Sequence, residues 1–562
     1  MLEEGRRLYL AGDLTGAAAV FRKALAGDPG NAEALNLLGV VALQTEDFPS
    51  AARLIRDAIA ADGQNAGFHN NLGQALNAAA DPRGAVDCYR RALDICPDDA
   101  GVHSNLGIAL HELGRLEEAR EAYEAALAIE AGDPEIHHNF GILLQELGHL
   151  DKAMGAYGRA LRLAPEMEFT HLSLGSVFIE LGNREAAIGA YMRAVEINPL
   201  YVDAHQAIKA VRWDSGEHER LDESYYHACA LLPRSSEAHG NLGSALLSSD
   251  KTDDAETALD RALELDPDNA EAHSGLGRIQ TLRGRFDDAV SEHLNAIRLD
   301  SENPFFHEEL GTTYLKAGEA GRAVEAFHQA HGLNLRRSSI LSGLTIAMNE
   351  AGDARVADLV DYDEFVTQRL IEVPDGFDSL DGFNEALHAE LEKRHDDRPP
   401  PPGQTMRGGT QIPNALFTNP TGLTAMVKEK IAKALVEYIS GLEQDAGHPF
   451  LRYRNPDFRF TGAWSTILHG SGYDGSHIHN EGWLSGVYYI KVPDFPDELW
   501  EAGEGCIQFG EPPPAFVSER NQAHRLIRPE PGTAVFFPSY YWHGVKPFTQ
   551  EGVRHSIAFD IL

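Results

Sequence analysis

The segment 73-GQALNAAADPRGAVDCYRRALDICPDDAGVHSNL-106 is followed by 107-GIALHELGRLEEAREAYEAALAIEAGDPEIHHNF-140, and the two can be laid one above the other without a gap. Gly73 then stands over Gly107, Ala85 over Ala119, Tyr89 over Tyr123, Ala92 over Ala126 and His103 over His137, a spacing of 34 residues. Extended both ways, the same ruler marks Gly5, Gly39, Gly73, Gly107, Gly141, Gly175, Lys209, Gly243, Gly277, Gly311 and Thr345. Twelve residues after each mark stands an alanine, Leu221 being the exception. Sixteen after it is usually an aromatic, and nineteen after it alanine returns from Ala24 to Ala330. Proline closes six units at position twenty-four, from Pro29 to Pro267. Internal repeats at this period mean stacked supersecondary units. Small residues at fixed places let two antiparallel helices approach, an aromatic fills the gap between hairpins, and proline ends the second helix.

This pattern resembles the tetratricopeptide repeat over residues 1–352, and the resemblance implies an all-α solenoid. A second ladder runs four residues before the marks: His69, His103, His137, His171, His205, His239, His273 and His307. Its members are one repeat apart, so no two need share an ion, and partly buried packing with a satisfied ring nitrogen is the reading adopted. Two residues before the mark, Asn71, Asn105, Asn139 and Asn241 fall where some such repeats carry groove asparagines. There an amide can bond a guest peptide's backbone through its paired donor and acceptor. A protein or peptide partner in the repeat groove is therefore expected.

Composition narrows the rest. The chain has 562 residues, 48 basic and 86 acidic, for a net charge of −38. Such a surface repels phosphate backbones, and no basic cluster stands out in the sequence, so neither nucleic acid nor an anionic membrane is an expected partner. No apolar run approaches a membrane span, and the first residues do not read as a signal peptide. Cys88, Cys96, Cys229 and Cys506 are too few and scattered for a disulfide framework or zinc ribbon. They read as buried reduced thiols of a cytoplasmic protein.

After Thr345 the ruler decays. Residues 353–405 form an expected connector, with an amphipathic helix in 379-SLDGFNEALHAELEKRH-395 and a stiff Pro399–Pro402 spacer. Residues 406–562 form the expected second domain. It opens with the helix 420-PTGLTAMVKEKIAKALVEYISGL-442; from about Arg459 the period changes from 3.6 to 2, through FRFTGAWSTILHG, LSGVYYIKV, GCIQFG, AHRLIRPE, TAVFFPS, HGVKPF and RHSIAFDIL. Short strands with Gly/Pro turns argue for an antiparallel barrel or sandwich, hence an α+β domain.

Chemistry concentrates in those strands. 477-HIHNE-481 precedes LSGVYYI, His543 opens HGVKPF, and Arg554 opens 554-RHS-556, with 505-GCIQFG-510 and 531-PGTAVFFPS-539 between. The ordered series, with Arg407–Gln411 (RGGTQ) before it, resembles the iron(II)- and 2-oxoglutarate-dependent oxygenases over about residues 353–562. It is most similar to the branch with H-x-H, S-G-V-Y-Y, F-P-S, a distal His and R-x-S. The resemblance implies a double-stranded β-helix core of jelly-roll or cupin type, Fe(II) as cofactor, and 2-oxoglutarate and O₂ as cosubstrates.

Residue types agree with that chemistry. A non-haem iron needs ligands on one face and open positions opposite. Strand alternation puts His477 and His479 on one side, and another strand can supply His543. Arg554 offers a bidentate partner for the far carboxylate of 2-oxoglutarate, with Ser556 on the same face. By resemblance, Tyr489 adds a phenolic bond. Two registers remain open: His477, His479 and His543, or His479, Glu481 and His543 with a carboxylate ligand. The expected function is a dioxygenase hydroxylating a polypeptide held by the repeats. Its rivals are a small-molecule oxygenase whose repeats serve assembly, and a non-catalytic repeat scaffold with an inactive barrel.

Overall fold

The computed structural model describes residues 1–395, 405–412, 416–418, 420–480, 482–513, 516 and 524–562. The chain forms two compact units, Met1–Pro233 and Arg234–Leu562.

The first unit is a run of helical hairpins, of which Ala66–Ala78 with Pro82–Ile95 is typical. Asn65 and Asp81 cap the two helices by accepting from the backbone N–H groups of Gly67 and Gly84, satisfying donors that a helix start leaves open. The glycine mark and the aromatic sixteen residues later turn out to be one contact. A Cβ on Gly73 would lie 2.4 Å from the Tyr89 ring, on Gly141 2.5 Å from Tyr157, and on Gly175 2.3 Å from Tyr191. The aromatic therefore packs onto the mark of its own hairpin.

Where the ruler reads Lys209 and Leu221, the hairpin is irregular. A 3₁₀ turn at His218–Arg220 replaces the start of the second helix, which shrinks to Glu223–Leu231. The Lys209 ammonium lies 3.3 Å from the buried Asp222 carboxylate. The first unit ends with this hairpin.

The histidine ladder is structural. Nε2 of His69, His103, His137, His171 and His205 bonds the carbonyl six residues earlier at 2.9–3.2 Å. In the second unit His273 and His307 do the same at 3.0 and 3.1 Å. Each ring ties a helix to the turn that leads into it. Two of the four asparagines bridge neighbouring repeats, Asn71 donating to Asn36 and Asn105 to Asn70, each at 3.0 Å. The four thiols are free, but only Cys229 and Cys506 are buried; Cys96 is exposed at a helix end, which corrects the expectation of four buried thiols. No described helix is long and apolar enough to cross a membrane.

The second unit continues the hairpins to helix Ser338–Ala351, which stops at Gly352 in the left-handed region, φ 71°. Nine strands follow among the described residues: β1 Thr367–Leu370, β2 Met406–Ile412, β3 Phe460–His477, β4 Leu484–Lys491, β5 Ile507–Phe509, β6 Arg525–Ile527, β7 Thr533–Pro538, β8 His543–Val545 and β9 Arg554–Ile561. They form one curled antiparallel sheet of jelly-roll type, in the order β1-β7-β4-β9-β3-β8-β5-β6, with β2 added on β3. β1 was not foreseen. The RGGTQ motif is β2, and Gly408 at φ 69° carries the register shift between Arg407 and Gly409. The two expected helices are Leu380–Glu392 and Gly422–Gly441. They bury Phe383, Leu387, Val427 and Ile431 in the same cluster as Tyr488, Phe536 and Phe559. Leu341, from the last repeat helix, belongs to that cluster too, and Ser338 Oγ donates to the Gly482 carbonyl at 3.1 Å. The expected Pro399–Pro402 spacer lies outside the described residues.

Candidate metal centre

β3 and β8 bring the first two histidines together, with His477 directly opposite His543 in the ladder. His479 stands two residues beyond the end of β3, so strand alternation does not place it. Its backbone N–H instead donates to the Ser539 carbonyl at 3.1 Å, which pins the loop after β3 to the end of β7. The three rings converge, with centroids 4.4–5.2 Å apart, and one nitrogen of each lies within 4.8 Å of the other two.

The Nδ1 atoms fix how the rings present themselves. His477 Nδ1 bonds the Gly475 carbonyl at 2.9 Å, His543 Nδ1 the Tyr541 carbonyl at 2.9 Å, and His479 Nδ1 the Asp560 carboxylate at 2.6 Å. Carbonyls and carboxylates only accept, so each Nδ1 is placed to donate, and in the neutral ring the lone pair then falls on Nε2. Burial holds His477 below its ordinary pKa, against the upward pull of the Asp474 carboxylate, and holds His543 well below, where the His477 and His479 imidazoles add to the effect. Neutral imidazoles with an oriented second nitrogen are the form that binds metal.

Two such lone pairs, on His477 and His479, stand 3.2 Å apart. When both rings are neutral these lone pairs repel, and a cation between them relieves that. Nitrogens each about 2.1 Å from one ion and at right angles to each other are about 3 Å apart. The donor set therefore fits a divalent metal. Glu481, the carboxylate of the rival register, lies outside the described residues.

A supporting layer surrounds the three histidines. Asp560, behind His479, also accepts from Ser485 Oγ at 2.6 Å, and Ser485 is 2.8 Å from Ser539 Oγ. Asp474 stands 3.7 Å from His477 Nδ1, and Thr405 Oγ1 3.2 Å from it while also bonding Asp474. None of these was singled out from the sequence. The lone acid of Asp560 in the apolar run of β9 is a signal that could have found it.

The same cavity holds the expected anion partners. Its wall includes His477, His479 and His543 together with Arg554, Ser556, Trp464 and Val487. Arg554 and Ser556 are alternate residues of β9, opposite Leu468 and Thr466 of β3, so both face inward. Arg554 is 2% exposed, its guanidinium 3.4 Å from Ser556 Oγ and 5.0 Å above the Tyr489 ring. Among the described residues no carboxylate pairs with it, and its Nε has no hydrogen-bond partner. The Tyr489 hydroxyl is likewise buried without a partner, and burial pushes that phenol up to about 12 against the pull of Arg554. An isolated buried guanidinium is costly unless an anion joins it. The cradle is thus suited to a carboxylate-bearing ligand beside the metal.

His555 points to the opposite face of β9. It is fully buried, held between His388 Nδ1 at 2.8 Å and Ser465 Oγ at 2.7 Å, and is a packing residue as expected.

Three family models match parts of the chain. The family described as "Putative 2OG-Fe(II) oxygenase" matches residues 462–560. "Tetratricopeptide repeat" matches 2–66, 138–202 and 241–304, and "TPR repeat" matches 83–114 and 107–148. Among solved structures, PilF of Pseudomonas aeruginosa is 22% identical, covering 36% of this chain and 93% of its own, with a TM-score of 0.34. YrrB, described as a TPR protein with an unusual peptide-binding site, is 21% identical over 34% of this chain and 98% of its own, TM-score 0.29. A thermophilic TPR protein of Thermus thermophilus is 25% identical over 32% of this chain and 97% of its own, TM-score 0.29. No curated protein matches the chain.

Proposed function

We propose that this chain, which joins tetratricopeptide repeats to a C-terminal 2OG-Fe(II) oxygenase domain, is a 2-oxoglutarate- and Fe(II)-dependent dioxygenase. Its substrate is a protein or peptide recruited by the repeats, and the reaction is hydroxylation. The observation that carries this reading is the single cavity wall on which three metal-competent imidazoles and an unpaired, buried guanidinium meet.

In this reading His477, His479 and His543 hold the metal on one face and leave the opposite positions open. When bound, Fe(II) with 2-oxoglutarate and O₂ supplies oxidation of a C–H bond coupled to decarboxylation of the cosubstrate. Arg554 and Ser556 receive the far carboxylate, the planar guanidinium fixing its orientation through paired N–H groups. The Tyr489 hydroxyl, otherwise unpartnered, donates to the same anion. Val487, Ile507, Phe537 and Ala558 line the cavity and keep water from the reacting centre. Asp560 and Asp474, behind two of the neutral ligands, balance part of the charge a divalent ion brings.

The test is succinate release. Purified chain with Fe(II), 2-oxoglutarate and O₂ should release succinate slowly without added substrate, and His543→Ala should release none. A parent that takes up metal but never forms succinate, alone or with peptide substrates, would make the protein a scaffold.

A further inference from the structure

A second cavity, of about 650 Å³, lies between the last repeat helix and the loop 449–459 of the oxygenase domain. Arg336, Arg452 and Arg459 line it. Two of them flank one ring: the guanidinium carbons of Arg336 and Arg452 sit 4.9 and 5.8 Å from the centre of Tyr453. All three are exposed, and none has an ion-pair partner among the described residues. Their neighbours are engaged: Arg337 reaches Glu308 at 2.9 Å, and Arg454 donates to the Ile439 and Ser440 carbonyls at 2.7 Å. In a chain with 86 acidic and 48 basic residues, unpaired arginines gathered on one wall stand out. Asp457 is the acidic side chain lining the same cleft.

The cleft is also apolar. Leu335 and Leu562 are 36% and 38% exposed on it. Trp483 is stacked on Phe450 at 5.0 Å and held by its indole N–H on the Phe450 carbonyl at 2.8 Å. Rigid aromatics beside pre-formed guanidinium forks suit carboxylates interleaved with apolar side chains. We infer that this cleft binds an acidic peptide segment whose charges alternate with apolar residues. Nucleic acid fits less well, because a long phosphate backbone would extend from a few arginines onto a surface of net charge −38.

The position gives the cleft a use. Gly482 and Trp483 lie in the loop that carries His479, and Tyr540, which also lines the cleft, follows Ser539, the residue that anchors His479. A segment docked here sits beside the loops that hold two metal ligands. That it belongs to the substrate rests on the oxygenase reading; the binding itself does not.

The experiment uses the full chain without iron or cosubstrate. Fluorescence polarisation follows a labelled octapeptide alternating glutamate with leucine, its lysine–leucine counterpart, and a labelled oligothymidylate. The acidic probe should bind, more weakly as salt rises, and the basic probe should not. Arg336→Glu with Arg452→Glu, both exposed, should weaken the acidic probe about tenfold or more, with circular dichroism unchanged. No binding by the parent, or equal binding by the double variant, overturns the assignment. Oligothymidylate binding that the double variant abolishes overturns the peptide reading in favour of nucleic acid. A parent that binds the acidic probe yet releases no succinate keeps the cleft and loses the oxygenase reading.

Discussion

Replacing Asp560 isolates what a carboxylate does when it stands behind a proposed metal ligand, His479, instead of on the metal. Asp560 accepts from His479 Nδ1 at 2.6 Å and from Ser485 Oγ at 2.6 Å. Three neutral imidazoles leave a divalent ion with its full charge, so this carboxylate supplies compensation at one remove. Removing such a partner costs about 10–100-fold in metal affinity, or roughly 1.4–2.7 kcal/mol. The two ends of that range separate by chemistry. Asp560→Asn keeps an oxygen to accept from His479 and loses the charge, so about tenfold is expected. Asp560→Ala also leaves the Nδ1–H without an acceptor and frees the ring, so the loss should approach a hundredfold. The assay is anaerobic titration with Co(II) as a visible-absorbing stand-in, and Fe(II) by competition, with folding checked by circular dichroism. If both variants bind metal as tightly as the parent, the buttress has no role and the charge argument fails.

Two further outcomes are expected. His293 occupies the aromatic position of its repeat, fully buried with neither ring nitrogen bonded among the described residues and its pKa pushed down to about 4 by burial. The unfolded chain therefore takes up a proton first as pH falls below about 6.5, so stability drains between there and about 4, by on the order of 3 kcal/mol. His293→Phe, matching Phe327 one repeat on, should raise the urea midpoint at neutral pH and flatten its fall at pH 5; an unchanged pH profile would refute this. The second outcome concerns the domain edge: a fragment from Arg234 should stay soluble and bind metal. One from residue 353 loses the Leu341 packing and the Ser338 bond to Gly482, so it should aggregate or melt earlier by circular dichroism. Equal melting of the two fragments would show that the last repeat is dispensable to the barrel.

The repeat array was legible because its rule is local. A glycine and an aromatic sixteen residues apart touch each other, so a single hairpin writes its own signature. The irregular hairpin announced itself in the same way, through Lys209 and Leu221. The three candidate histidines stand out by spacing, but strand alternation does not place His479. β3 ends at His477, and the loop after it is placed by Ser539, a contact no period reveals. The supporting acids were hidden for a like reason: Ser485 opposes Asp560 across β4 and β9, and Thr405 meets Asp474 across a sequence gap. The arginine cleft was missed because Arg336 and Arg452 belong to different elements and become a basic patch only when folded. The groove position suits an amide that bonds a guest backbone, yet Asn71 and Asn105 already donate to the preceding repeat, a contact between repeats that no single repeat reveals.

The central claim of the oxygenase reading is that one cavity takes both a metal and the far carboxylate of 2-oxoglutarate. Anaerobic titration of the Fe(II)-loaded chain with 2-oxoglutarate measures it through the visible charge-transfer band. The parent should develop the band and saturate. Arg554→Ala should keep its metal but need at least tenfold more 2-oxoglutarate, since a charge-assisted pair of roughly 1.5–3 kcal/mol is lost. His477→Ala and His543→Ala should show no band. A band that forms equally in Arg554→Ala, or that survives in both histidine variants, would contradict the account.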